Sequence, residues 1–254
     1  WTLVALRLKW SALAMLCTLL IPAAGLVLLA AWHSRFHPAA NFGWLAWVMV
    51  FFVHLISVRR LAPILTAKAR STAHVLGCWL MIGVLALELR YGLLLLSGHY
   101  NAWRWLGWAV LPSLYLVLMA SPRNWPWPVS TYAREYRVYA ALPLAVLMFG
   151  WFWLANVVSD GVAEPLPYVP LINPLELGLL FTLLGVYLWA RSAMNDLAIR
   201  KDYAAYGTQL LAGVSLFAFF TALVMRTAHH WGGVPFELDA LLGSMLVQAG
   251  LSIV

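Results

Sequence analysis

The chain is expected to be all-α: a polytopic transmembrane helical bundle of about seven to eight spans. Composition, segment length and the placement of charge lead to that expectation. Of its 254 residues, 64% are hydrophobic and 10% are charged; an ordinary soluble domain carries roughly 25% charged residues. A water-soluble fold of this size would present one large apolar patch, whereas a bilayer requires an apolar exterior. Several runs reach the roughly 20 apolar residues that a helix needs to cross the hydrocarbon. Leu13 to Ala31 is continuous apolar sequence, unlike the short alternating segments of a β-barrel. Backbone groups in lipid must be satisfied within their own segment, so these runs read as helices.

In chain order the expected spans are Ser11–Trp32, Phe42–Val58, Thr72–Ser97, Trp103–Ala120, Val138–Val158, Pro174–Ala190 and Tyr206–Met225. An eighth begins near Leu238 and stops with the sequence. The first residue is Trp1 rather than Met. Residues 1–254 are therefore expected to form one helical domain within a longer membrane region.

Positive charge gives the spans a direction. Arg7 and Lys9 precede the first; Arg59, Arg60, Lys68 and Arg70 separate the second and third. Arg123, Arg134 and Arg137 separate the fourth and fifth, and Arg191, Arg200 and Lys201 the sixth and seventh. The alternate connections hold only Arg35, Arg104 and Arg226, with Arg90 inside the third span. This bias places the amino end in the cytoplasm, and the opposite side is then periplasmic or extracellular. It also accounts for the net charge of +7 without nucleic acid, since no basic stripe is interleaved with aromatics. Tryptophans such as Trp32, Trp44, Trp103, Trp125 and Trp231 fall near span ends, where an indole keeps its N–H wet and its ring in the apolar layer.

Local signals mark helix ends. Asn173-Pro174-Leu175-Glu176 offers an N-cap residue, a proline at the first helical position and an acid in capping-box style, a reading that explains Glu176 without any function. Asp196 and Arg200 stand four apart, suited to pairing on a surface helix. Pro122, Pro126 and Pro128 break the chain after the fourth span, and Tyr132, Tyr136 and Tyr139 suggest an interfacial turn into the fifth.

Polar residues of functional interest collect on the non-cytoplasmic side. Glu88 lies sixteen residues after Thr72, about 24 Å along a helix, which puts Glu88 and Arg90 in or near the outer leaflet. Two positions apart, they face different ways, so each needs a partner on another element or must snorkel. An ionisable residue at that depth is a functional candidate; a structural ion pair is the plainer alternative. The densest cluster follows the seventh span: Arg226, His229, His230, Glu237 and Asp239, with Gly232, Gly233 and Pro235 expected to fold it into a tight turn. Histidines there suit proton or substrate binding or an interfacial collar with Trp231. Their spacing matches no metal motif, and no metal is assigned. The connection holding Asp160, Glu164 and Pro165-Leu-Pro-Tyr168-Val-Pro170 carries no Lys or Arg, and its prolines stiffen it into a wall for a cleft on the same side. His54 is expected to be a hydrogen-bonded packing residue inside the second span. Cys17 and Cys78 fall within spans as small apolar residues. A Gly-rich phosphate loop and a Gly-x-Ser-x-Gly are both missing, so no cofactor is assigned.

Two segments, Pro165 to Leu177 and Arg226 to Val254, resemble a bacterial membrane family known as domain of unknown function 2339. The second is the more specific, through His229-His230-Trp231-Gly232-Gly233-Val234-Pro235 and the following Leu238-Asp239-Ala240-Leu241-Leu242. The resemblance implies a longer inner-membrane protein with more spans, of which this chain is an inner slice, and brings no residue a role. Partners are then the lipid bilayer and either other membrane subunits or the remainder of the same chain. Two functional readings follow: binding, transport or scaffolding of an envelope or lipid-linked substrate at the periplasmic face, or a membrane-embedded transferase using the His and acid cluster as general base.

Overall fold

The computed structural model describes residues 1–31, 37–97, 102–122, 124–196 and 201–253. Its helices are α1 (Thr2–Leu8), α2 (Ser11–Ala30), α3 (Gly43–Leu61), α4 (Ala67–Ser97) and α5 (Ala102–Ala120). They continue with α6 (Ala141–Val158, entered through a π-helical turn, Glu135–Ala140), α7 (Pro174–Asp196), α8 (Lys201–Gly232), α9 (Leu238–Gly243) and α10 (Met245–Leu251). Among the described residues there is no strand, and seven helical segments are long and apolar enough to cross a membrane. These seven are the expected spans, with ends shifted by a few residues. The pairing of Asp196 with Arg200 lies outside the described residues, as do Arg35 and Arg123.

Two departures concern the carboxy-terminal part. The helix of the seventh span does not end at Met225; α8 runs on to Gly232. Arg226 to Trp231 contain no helix breaker, and a polar side chain does not by itself end a helix. The stop comes at Gly233, with φ of 68°. Gly233 N–H bonds to His229 C=O at 3.1 Å, the bond of the αL cap that glycine favours, and Val234 N–H reaches Ala228 C=O at 3.3 Å. The apolar run from Leu238 is two short helices rather than the start of one, because Ser244 between them is extended (φ −78°, ψ 126°).

The helices gather into two compact units, residues 1–89 with 122–143 and residues 90–121 with 144–254. In the first, α1 lies across the ends of α2, α3 and α4: Ala5 packs with Ala14, Leu61, Leu65 and Ala69, and Thr2 Oγ1 lies 3.3 Å from Ser57 Oγ. Lys9 in a left-handed conformation ends α1. Close packing of α3 on α4 depends on Gly77, whose missing Cβ would stand 2.3 Å from His54 Nε2. His54 is buried and donates from Nε2 to Ala73 C=O at 3.2 Å, the packing role expected of it. His74, a second buried histidine in this unit, escaped the sequence reading. Its Nδ1 lies 3.0 Å from Tyr136 OH, and its ring stacks on Tyr132 at 4.0 Å. The tyrosines after the proline-rich break thus line a buried histidine as well as forming a turn.

In the second unit α5 and α7 pack along their length. Gly185 lets Ser113 C=O approach to 2.9 Å of the position its Cβ would take, and Ser113 Oγ meets Thr182 Oγ1 at 3.1 Å. Buried Phe152, Ala155, Leu175, Leu179, Leu183 and Phe219 fill the space between α6, α7 and α8. This apolar core lies directly beneath the polar cluster at the α7 amino end.

A buried arginine hub under the proline-rich connection

The connection 159–173 joins α6 to α7 and is held by side chains from three helices, α5, α7 and α8. Asn173 caps α7 as anticipated: its Oδ1 accepts from Leu175 N–H at 2.9 Å, while its Nδ2 donates to Gly161 C=O at 2.7 Å. From α5, Trp103 Nε1 donates to Ala163 C=O at 3.2 Å and Ala102 N–H to Val162 C=O at 2.8 Å. Trp231 at the end of α8 donates from Nε1 to Tyr168 C=O at 3.3 Å. These bonds satisfy backbone groups that would otherwise be stranded at the edge of an apolar bundle.

Glu176 departs from the capping reading. It is fully buried, and the Asn173 N–H that a capping-box acid would take bonds instead to Val169 C=O at 3.0 Å. Its carboxylate accepts from Tyr168 OH at 2.6 Å, from Leu171 N–H and from Arg226 Nε at 3.3 Å. Arg226, which the sequence placed in the loop after the seventh span, is inside α8 and also fully buried. Its remaining donors reach Asn156, bonding C=O at 3.1 Å and Oδ1 at 3.4 Å. Asn156 is tied in turn to α8 through Nδ2 and Ala218 C=O at 3.0 Å. One guanidinium therefore joins α6, α7 and α8. Gly161 makes room for it: at φ of 85°, a Cβ there would stand 3.1 Å from Arg226 Cδ and 3.2 Å from the Tyr168 ring. Burial first, and then the Glu176 carboxylate, push the Tyr168 phenol above its ordinary pKa, so it remains the donor in that pair.

His230 stacks on Tyr168 with ring centroids 4.2 Å apart and donates from Nε2 to Asp160 C=O at 2.9 Å. His229, its centroid 4.8 Å from that of His230, donates from Nδ1 to Val234 C=O at 2.7 Å. Each imidazole thus has one ring nitrogen fixed as a donor, and the second stands outside these bonds. Because both sit on the last turn of α8, their side chains diverge by about 100°. Among the described residues no group of three His, Cys, Asp or Glu could hold a metal. Glu237 and Asp239 are exposed at the start of α9, beyond the turn.

The structure brings Arg226, His229 and His230 into one network and adds Tyr168, Glu176 and Asn156. The Arg–Glu spacing of 50 residues gives no local sequence signal; a lone acid and a lone arginine near the ends of neighbouring spans were the only hint. Glu88 belongs to the first unit, where it accepts from His37 Nδ1 at 2.9 Å and Ala39 N–H at 3.0 Å. The partner it required from another element is therefore the segment ahead of α3. Arg90 lies over the Trp108 ring at 5.3 Å, its Cα 2.8 Å from where a Cβ of Gly107 would sit.

The family model described as Predicted membrane protein (DUF2339) matches residues 1–254, the whole chain. The chain belongs to the DUF2339 family. For this DUF2339 member, no curated protein and no solved structure matches. The proline-rich connection and the His-His-Trp-Gly-Gly turn that carried the resemblance are the two segments joined at the arginine hub.

Proposed function

We propose that this protein lies in a bacterial inner membrane, amino end in the cytoplasm, and binds an envelope or lipid-linked substrate at the periplasmic face. The platform is the 159–173 connection over the ends of α6, α7 and α8. The buried Arg226–Glu176 pair carries this reading. Withdrawing two charges from water is costly, and here they hold a connection whose outward strip, Glu164 to Pro167, stays exposed. Arg226 positions; His229, His230, Glu237 and Asp239 contact the ligand. The apolar core beneath the hub favours binding over a polar route through this unit.

The test uses the full chain in native membranes and a photoreactive polyprenyl-phosphate-linked sugar. Cross-links are expected in peptides covering 159–173 or 226–240, weakened by His229→Gln and His230→Gln. Cross-links confined to other peptides overturn the reading. Topology is checked with a membrane-impermeant maleimide in a background lacking Cys17 and Cys78. A cysteine replacing Glu237 should label from the periplasm and one replacing Arg60 should not.

The second ring nitrogens of His229 and His230, which stand outside the bonds to Val234 and Asp160, favour a second reading, a transferase with one imidazole as general base. It requires that His229→Gln or His230→Gln abolish turnover of the same probe while cross-linking persists; unchanged turnover in both excludes it.

A further inference from the structure

The geometry points to a seat for acidic phospholipid headgroups at the basic end of the first unit, built from Arg59, Arg70 and Arg134. The end of α3, the start of α4, the 124–134 segment and α1 meet there. They bring Arg7, Lys9, Arg59, Arg60, Lys68, Arg70 and Arg134 against a single acid, Glu135. The other acid of this unit, Glu88, is eighteen residues beyond Arg70 on α4, about 27 Å along the helix.

Three of these cations are organised. The Arg59 guanidinium lies over Trp127 at 5.2 Å, Arg70 over Tyr132 at 5.7 Å and Arg134 over Tyr139 at 5.4 Å. Tyr132 is fixed from below by its stack on His74, itself bonded to Tyr136. Arg70 is further anchored by a 3.2 Å bond from Nη1 to Ala62 C=O. A ring under a guanidinium takes its face and leaves its N–H edge for an anion, and a phosphodiester matches that edge.

The neighbouring α1 selects a lipid over a free anion. Leu3 and Leu8 on it and Trp1 and Trp10 beside its ends are exposed, flanking Arg7 and Lys9, while Ala5 seals its other side to the bundle. That is the distribution of a helix lying at headgroup level with apolar side chains among acyl chains. A free phosphate offers nothing to those side chains.

The test reconstitutes the purified full chain in phosphatidylcholine vesicles carrying a trace of spin-labelled phosphatidylglycerol or spin-labelled phosphatidylcholine. The motionally restricted fraction of each label is then measured. Phosphatidylglycerol should be preferred several-fold, since one basic side chain near an anionic surface contributes roughly a five-fold effect. Arg59→Gln with Arg134→Gln should remove most of the preference. Both residues are exposed, so the core is untouched. Arg104→Gln with Arg191→Gln, an equal loss of charge elsewhere, should retain it. Arg59→Lys with Arg134→Lys should fall between, because charge remains and the planar edge is lost. No preference, equal loss in both glutamine pairs, or full preference in the lysine pair each overturns the seat. Competition by millimolar inorganic phosphate also overturns it, in favour of a free-anion site.

Discussion

Replacing Arg226 by Met removes the cation from the hub at nearly constant side-chain length. Both members of its pair with Glu176 are fully buried, so solvent screening does little to soften the loss. Glu176 would retain Tyr168 OH and Leu171 N–H as donors, but its charge would have no counter-ion in an apolar surround. The acceptors on Asn156 would lose three bonds from the guanidinium. Breaking one partner out of a buried pair costs roughly 3–5 kcal/mol, a large part of the roughly 5–15 kcal/mol that holds a typical fold. For a chain of this size that converts to a fall in melting temperature of about 6–20 °C. Tryptophan fluorescence in mild detergent can follow it, since 15 indoles report on the bundle. Adding Glu176→Gln removes the stranded charge, so the double variant should recover a substantial part of the loss. The reasoning is refuted if Arg226→Met melts within about 1 °C of the parent, or if the two substitutions add without coupling.

Three other outcomes follow from local geometry. Gly161→Ala should destabilise by roughly 1–3 kcal/mol, through its left-handed backbone and contact with Arg226 and Tyr168; the same melting assay measures it. Gly77→Ala should cost a similar amount by displacing His54, and His54→Ala in the same chain should relieve much of it; absence of rescue would mean another neighbour is responsible. Tyr168, raised above the ordinary phenol range, contributes stability that is whole below about pH 10 and lost above it as the unfolded chain ionises. Between pH 10 and 11 the parent should therefore lose up to about 1.4 kcal/mol more than Tyr168→Phe, measured by denaturant titration at each pH.

The spans were legible because lipid imposes one rule on every segment, and a run such as Leu13 to Ala31 satisfies it regardless of neighbours. The cap at Asn173 was legible for the same local reason. At Glu176 a capping acid and a buried counter-ion look alike in sequence. Only the packing of α8 against α7 and α6 separates them. Nothing local in the sequence distinguishes a charge that leaves the membrane from one held within it, and a partner 50 residues away keeps Arg226 inside the helix. His74 carries no local signal near a helix start, and its role emerges only from Tyr132 and Tyr136, about sixty residues on.

The separation of Glu176 and Arg226 along the chain also bears on how the protein is made. At roughly 5–20 residues per second of synthesis, about 3–10 s pass between the appearance of the acid and of the base that neutralises it. Throughout that interval α7 exists without its counter-ion. Glu176 is the third residue of α7, so the nascent helix can enter lipid with its carboxylate still at the wet rim. Only the arrival of α8 draws it into the interior, and the 159–173 connection can close over the hub only then. The arrival of α8 thus completes an assembly begun at α6, and a ribosome halted before Arg226 would leave the hub unformed.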